Sequence, residues 1–114
     1  MGLPQFLRKT VEKKFQKYCD MKVPEAIRYQ LRLEFKIRGN NVTLIEERPA
    51  FGNPDIWISI PIAQFRYNPD EQTWYLYCCD RNLRWHLYHL ISSNRDMDVL
   101  IREVEKDPTG IFWG

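Results

Sequence analysis

The chain predicts an α+β fold: an N-terminal helix, about five consecutive antiparallel strands in a meander, and a C-terminal helix. Three observations carry this. Leu3, Leu7, Val11 and Phe15 recur at helical spacing. From Leu31 the apolar period drops to two, with Leu31, Leu33, Phe35 and Ile37 alternating with Arg32, Glu34, Lys36 and Arg38. After Asp96 the helical period returns in Met97, Leu100, Ile101 and Val104.

The elements follow in order. Pro4 suits the first turn of a helix, where a missing N–H costs nothing. An amphipathic helix is expected over about 4–19, with Tyr18 on its apolar side and Arg8, Lys9, Glu12, Lys13 and Lys17 on the other. Val23-Pro24 punctuates it, and residues 24–29 fit one short further turn. The first strand closes at Arg38, Gly39-Asn40-Asn41 supplies a turn, and Val42 to Arg48 returns. Pro49 is expected to end that strand, and residues 50–55 to form a loop. Ile56 to Tyr67 is the third strand, with Pro61 forcing an edge, a bulge or a break. Asn68-Pro69-Asp70-Glu71 reads as a type I turn. Two aromatic-rich runs, 73–79 and 84–88, then flank Asp80-Arg81-Asn82 as a hairpin. Ser92-Ser93-Asn94 offers caps for the last helix, and Pro108 stops it.

Composition is that of an ordinary globular protein. The 114 residues are 44% hydrophobic and 28% charged, with aromatics somewhat high at 14%. They are read as one domain over 1–114, with a helical segment at 1–23 and the α+β core at 24–114. No stretch reaches the roughly 18 apolar residues of a membrane span. The N-terminus lacks a basic-then-apolar leader, and Phe6 stands where a myristoylation motif wants Ser or Thr. The expected location is therefore the cytoplasm, with no membrane partner. Cys19, Cys78 and Cys79 are too few and too irregular for a disulfide framework. The net charge of +2 is uneven: residues 1–38 hold ten Lys/Arg against four Asp/Glu, the remainder seven against eleven. A basic first third suits an anionic partner, although charged helix faces commonly serve solubility alone.

The last hairpin is the candidate for function. A two-residue turn, at Arg81-Asn82 or Asn82-Leu83, keeps Tyr75, Tyr77, Cys79, Arg84, His86 and Tyr88 on one face. Trp74, Leu76, Cys78, Trp85, Leu87 and His89 then share the other, more apolar face. Arg66, Tyr75, Tyr77, Arg81, Arg84, His86 and Tyr88 form the candidate binding surface, tyrosines for stacking and arginines for anions. Aromatic side chains interleaved with Arg on an open sheet stack unpaired bases in several folds. Cross-strand aromatic pairs also stabilise sheets by about 0.2–1 kcal/mol each without any ligand.

No catalytic residue, metal site or cofactor is assigned. Cys79 and His86 lack further ligands at zinc spacing. A metal-free ribonuclease using His86 as acid or base, Glu46 or Glu47 as carboxylate and Arg84 on phosphate is the enzymatic alternative. A homodimer built through the aromatic face or the apolar tail Ile111-Phe112-Trp113 is the structural one.

From about residue 24 the chain resembles the bacterial domain-of-unknown-function family 3024. The resemblance rests on Pro61 to Tyr67, Leu76-Tyr77, Asp80-Arg81-Asn82, Arg84-Trp85-His86 and, most specifically, Asp107 to Gly114. Arg38-Gly39-Asn40, Val42-Thr43-Leu44 and Arg48-Pro49 also fit. It implies a small bacterial stand-alone protein and no particular activity. The family's pattern tends to have Trp-Arg where Cys78-Cys79 stand and Trp where Phe51 stands, which weakens any thiol or metal role.

Overall fold

A computed structural model describes residues 2–114. Helix α1 spans Gln5–Lys22 and is followed by a 3-10 turn at Glu25–Ile27. Five strands come next: β1 Arg32–Arg38, β2 Asn41–Ala50, β3 Asn53–Asn68, β4 Thr73–Cys79 and β5 Trp85–Leu87. A two-residue β6, Ser93–Asn94, precedes α2, Met97–Lys106. The sheet is antiparallel in the order β1-β2-β3-β4-β5, with β6 pairing β4 beside β5.

Both helices pack on one face of the sheet. Val11, Phe15 and Cys19 of α1 and Met97, Leu100 and Val104 of α2 meet Leu33, Val42, Leu44, Ala63, Phe65, Trp74 and Leu76. Phe15 sits at the centre, its ring 5.0 Å from Phe65 and 5.6 Å from Phe35. Lys14 bridges Asp98, and Lys22 and Tyr18 both reach Glu105, so the helices are also tied to each other.

Local chemistry accounts for the departures from expectation. α1 runs to Lys22 because Cys19 continues the buried i, i+4 row and Val23 closes it in the core. Pro49 does not end β2; it stays in the strand opposite Trp57, with the turn only at Phe51-Gly52. Pro61 sits at a bulge, where Ile45 faces Pro61 and Leu44 faces Ala63, leaving Ile62 as the extra residue. The bulge resets the alternation, so Ile60 before it and Ala63 and Phe65 after it share the helix side. Asp96, rather than the serines, caps α2 by accepting from the Asp98 N–H. Ser93 and Asn94 are instead held by β4.

The closing octapeptide is a clasp. Asp107 adopts the left-handed conformation (φ 44°) that terminates α2. Its carboxylate then accepts the N–H of Phe112 (3.0 Å) and of Trp113 (2.8 Å). Gly110, at φ 73°, takes the reverse bend that brings the tail back. Phe112 is buried 4.9 Å from the Tyr88 ring, and the Trp113 indole N–H donates to the Val104 carbonyl. The apolar tail therefore docks on the chain's own core. Asp107→Ala removes a charged acceptor shared by two backbone N–H groups, and about 2–4 kcal/mol of stability should go with it, read as a lowered urea midpoint at unchanged slope.

Candidate binding surface

The opposite face of the sheet carries no helix. Strand register sorts its side chains into rows running across the strands. One row is Arg38, Asn41, Arg66, Tyr75 and Ser93. The next is Lys36, Thr43, Gln64, Tyr77 and Leu87. Together they hold three cations, two tyrosines and no carboxylate. A hydrogen-bonded chain orders them: the Gln64 amide donates to Thr43 Oγ1 (2.9 Å) and the Arg66 Nε donates to Gln64 Oε1 (2.6 Å). The Arg66 guanidinium thereby lies 3.8 Å above the Tyr77 ring. Tyr75 donates to Glu71 (2.6 Å), a bond that holds its phenol above the usual range.

Farther along the face the chemistry changes sign. Partial desolvation and the adjacent Glu47 carboxylate raise Glu34 above the ordinary carboxylate range. Glu47 also accepts from Ser59 (3.1 Å). Arg32 covers the Trp57 ring at 3.9 Å.

The seven residues expected to share one surface do not all do so. Arg66, Tyr75 and Tyr77 stand together on the open face. Tyr88 is sealed in the core, its hydroxyl donating to the buried Glu103 carboxylate (2.7 Å). His86 faces Cys78, not Tyr77, and so points to the helix side. Trp85 and Leu87, expected inside, are the β5 residues beside Cys79 and Tyr77 on the open face. Arg81 and Arg84 are exposed on the β4–β5 turn, off both rows.

The physical reason is the length of that turn. Cys79 pairs with Trp85, and Asp80 and Arg84 are joined by the Asp80 N–H to Arg84 carbonyl bond, so the loop is the three residues 81–83. Leu83 takes a left-handed φ of 62°, the position a three-residue hairpin loop requires. Asp80 organises it, accepting from the N–H groups of Asn82 (2.8 Å) and Arg84 (3.0 Å) with one oxygen. One residue more than a two-residue turn reverses the parity of the whole following strand. The other Asp80 oxygen meets His86 Nε2 at 2.6 Å. These bonds hold the Asp80 carboxyl below its usual range, the His86 contact foremost.

Glu46 and Glu47 are remote from His86. They lie on β2, separated from β5 by two intervening strands, roughly 14 Å at the usual strand spacing. Glu46 is buried and paired with Arg48. Cys79 and His86 lie on opposite faces, and among the described residues no group of three His, Cys, Asp or Glu could hold a metal ion. The thiols also differ. Burial pushes Cys19 up to about 12, and Cys78 is raised and buried, whereas Cys79 is raised but half-buried on the open face.

Fold and surface together define a small α+β protein with one sheet face under two helices and the other open. The chain belongs to the family described as Domain of unknown function (DUF3024), which matches residues 3–114 and so takes in α1 as well as the sheet. Neither the curated proteins nor the solved structures contain a match. Among the described residues no helix is long and apolar enough to cross a membrane.

Two measurements follow from these environments. In native protein near pH 8 a thiol reagent should modify Cys79 well before Cys19 and Cys78, which should react at the rate of global or local opening; equal rates for all three would contradict the placement. Burial, and then the Glu103 carboxylate, push the Tyr88 phenol up from 10.0 to about 12. A raised phenol favours the neutral form in the folded state, so this contribution is whole below about pH 10 and is lost as pH rises through about 12. The urea midpoint should fall over that window, and less steeply in Tyr88→Phe.

Proposed function

We propose that this protein is a non-enzymatic binding module, acting as one domain over 1–114, whose working surface is the open sheet face and whose ligand is single-stranded nucleic acid. The supporting observation is the two acid-free rows: Lys36, Arg38 and Arg66 interleaved with Tyr75 and Tyr77 on an uncovered sheet. Every base has a π-face, so tyrosines on an open sheet accept bases with little regard to sequence, and the cations follow the phosphates. The ordered Thr43-Gln64-Arg66 chain fixes the guanidinium before a ligand arrives, which lowers the entropic cost of binding. The excess of basic residues in the first third adds long-range attraction. A bacterial, cytoplasmic setting is part of the same reading.

Fluorescence anisotropy with labelled single-stranded RNA and DNA tests it. Binding at low salt should weaken steeply as salt rises. Arg66→Ala should lower the salt slope by about one. Tyr77→Ala should cost about 1–3 kcal/mol per lost base stack, and Tyr77→Phe little. Absent or salt-independent binding by the wild-type protein removes the reading.

A second reading is favoured by the Asp80–His86 contact, which supplies the orienting carboxylate that an acid–base histidine needs. In that reading Arg81 and Arg84 hold phosphate beside His86 and the protein is a metal-free ribonuclease-like enzyme. RNA cleavage by the pure protein, lost in His86→Ala, is its expected result; intact RNA rejects it.

A further inference from the structure

β2 and β3 outrun their neighbours. β1 begins at Arg32, opposite Glu47, and pairing with β4 stops at Ala63 and Cys78. Residues 48–58 therefore form a two-stranded arm, and the molecule is drawn out to 47 × 28 × 25 Å. A lone two-stranded ribbon is marginal in water. This one also exposes apolar side chains: Phe51 at the tip is fully exposed, and Ile56 and Ile58 on the helix side are 53% and 41% exposed. The edge of β3 from Asn53 to Ile62 has no strand beside it on the β4 side. Pro54 and Pro61 bracket a stretch, 55–60, in which every residue keeps its N–H. At the foot of the arm, where β4 ends, lies a cavity of about 340 Å³ lined by Ile60, Arg81, Leu83 and Ile111 among others.

We propose that the arm is a dimerisation element: two copies exchange arms about a two-fold axis, β3 pairing antiparallel with β3 of the second copy. The occupant follows from self-complementarity. Antiparallel edge pairing centred on Trp57, the register a two-fold axis through the sheet allows, sets residue 55 beside residue 59 of the other copy and residue 53 beside residue 61. Each tip is thus carried to the other copy's cavity, where Phe51 meets Leu83 and Ile111. Charge agrees with the same placement. Asp55 near the tip and Arg81 at the cavity have no ion partner among the described residues, and arm exchange brings them together twice. The arm itself carries one acid, Asp55, and one base, Arg48, and so has no excess positive charge to draw a nucleic acid to this site. Two fully exposed phenylalanines, four half-exposed isoleucines and two strand edges amount to burial on the order of 1,000 Å², the lower end for a specific interface. The dimer is accordingly a weak one, in exchange with monomer. The acid-free rows lie outside the arm, so the proposal stands or falls independently of nucleic-acid binding.

Sedimentation velocity of the whole chain over a concentration series decides it. The expected result is a monomer–dimer equilibrium weakened about tenfold or more by Phe51→Ser and by Ile56→Lys, with far-UV circular dichroism and urea midpoint unchanged. Asp55→Arg and Arg81→Asp should each weaken the dimer, and the double exchange Asp55→Arg with Arg81→Asp should restore it. Restoration identifies tip-to-foot contact in trans. A wild-type protein that stays monomeric to millimolar concentration overturns the proposal. So does a dimer indifferent to Phe51→Ser and Ile56→Lys, or one that the double charge exchange leaves as weak as either single variant.

Discussion

The pleat of the sheet is the constraint from which the rest of the molecule follows. Successive residues of a strand must point to opposite sides, so each strand divides its side chains between a layer under helices and a layer facing water. With two helices on one side only, the division is complete. Phe35, Leu44, Phe65 and Leu76 meet Phe15 and Leu100, while Lys36, Thr43, Gln64 and Tyr77 are left on the other side. Whatever keeps register in phase therefore also composes the open face. Two local devices do so: the bulge at Ile62 and the three-residue loop after Asp80.

The stretches that carry the resemblance to the family have structural explanations. Asp107, Gly110, Phe112 and Trp113 form a clasp that returns the chain beneath Tyr88 and Val104. Asp80 and Asn82 shape the β4–β5 loop through side-chain bonds to backbone N–H groups. Pro61 sits at the bulge. A motif can thus be distinctive because a turn needs it, with chemistry carried by plainer residues such as Gln64 and Arg66.

Much of this was legible in the sequence. The alternation in 31–38 and 42–48 located β1 and β2 and their buried sides, because each strand has one clear apolar face. Both helices were visible from their apolar rows, and the family from its motifs. The β4–β5 register was not legible. Two- and three-residue loops draw on the same Asp, Arg and Asn, and the left-handed position is filled by Leu83, not by the glycine or asparagine that would advertise it. That single residue moved His86 and Tyr88 off the tyrosine face and brought Trp85 and Leu87 onto it. β6 escaped notice because two residues have no period. The Arg32–Trp57 contact joins residues far apart in sequence, and no local pattern announces it.

The central claim is that the uncovered rows bearing Lys36, Arg38, Arg66, Tyr75 and Tyr77 form the surface at which a ligand is received. The most direct measurement is a two-dimensional NMR titration of the labelled protein with a short single-stranded oligonucleotide at low salt. The account predicts saturable shifts confined to β1–β4 residues of the open face, with Tyr77 and the Arg66 side chain foremost and Tyr88 and α2 unmoved. Shifts gathered on the helices or on the β4–β5 turn, with the open face silent, would contradict it.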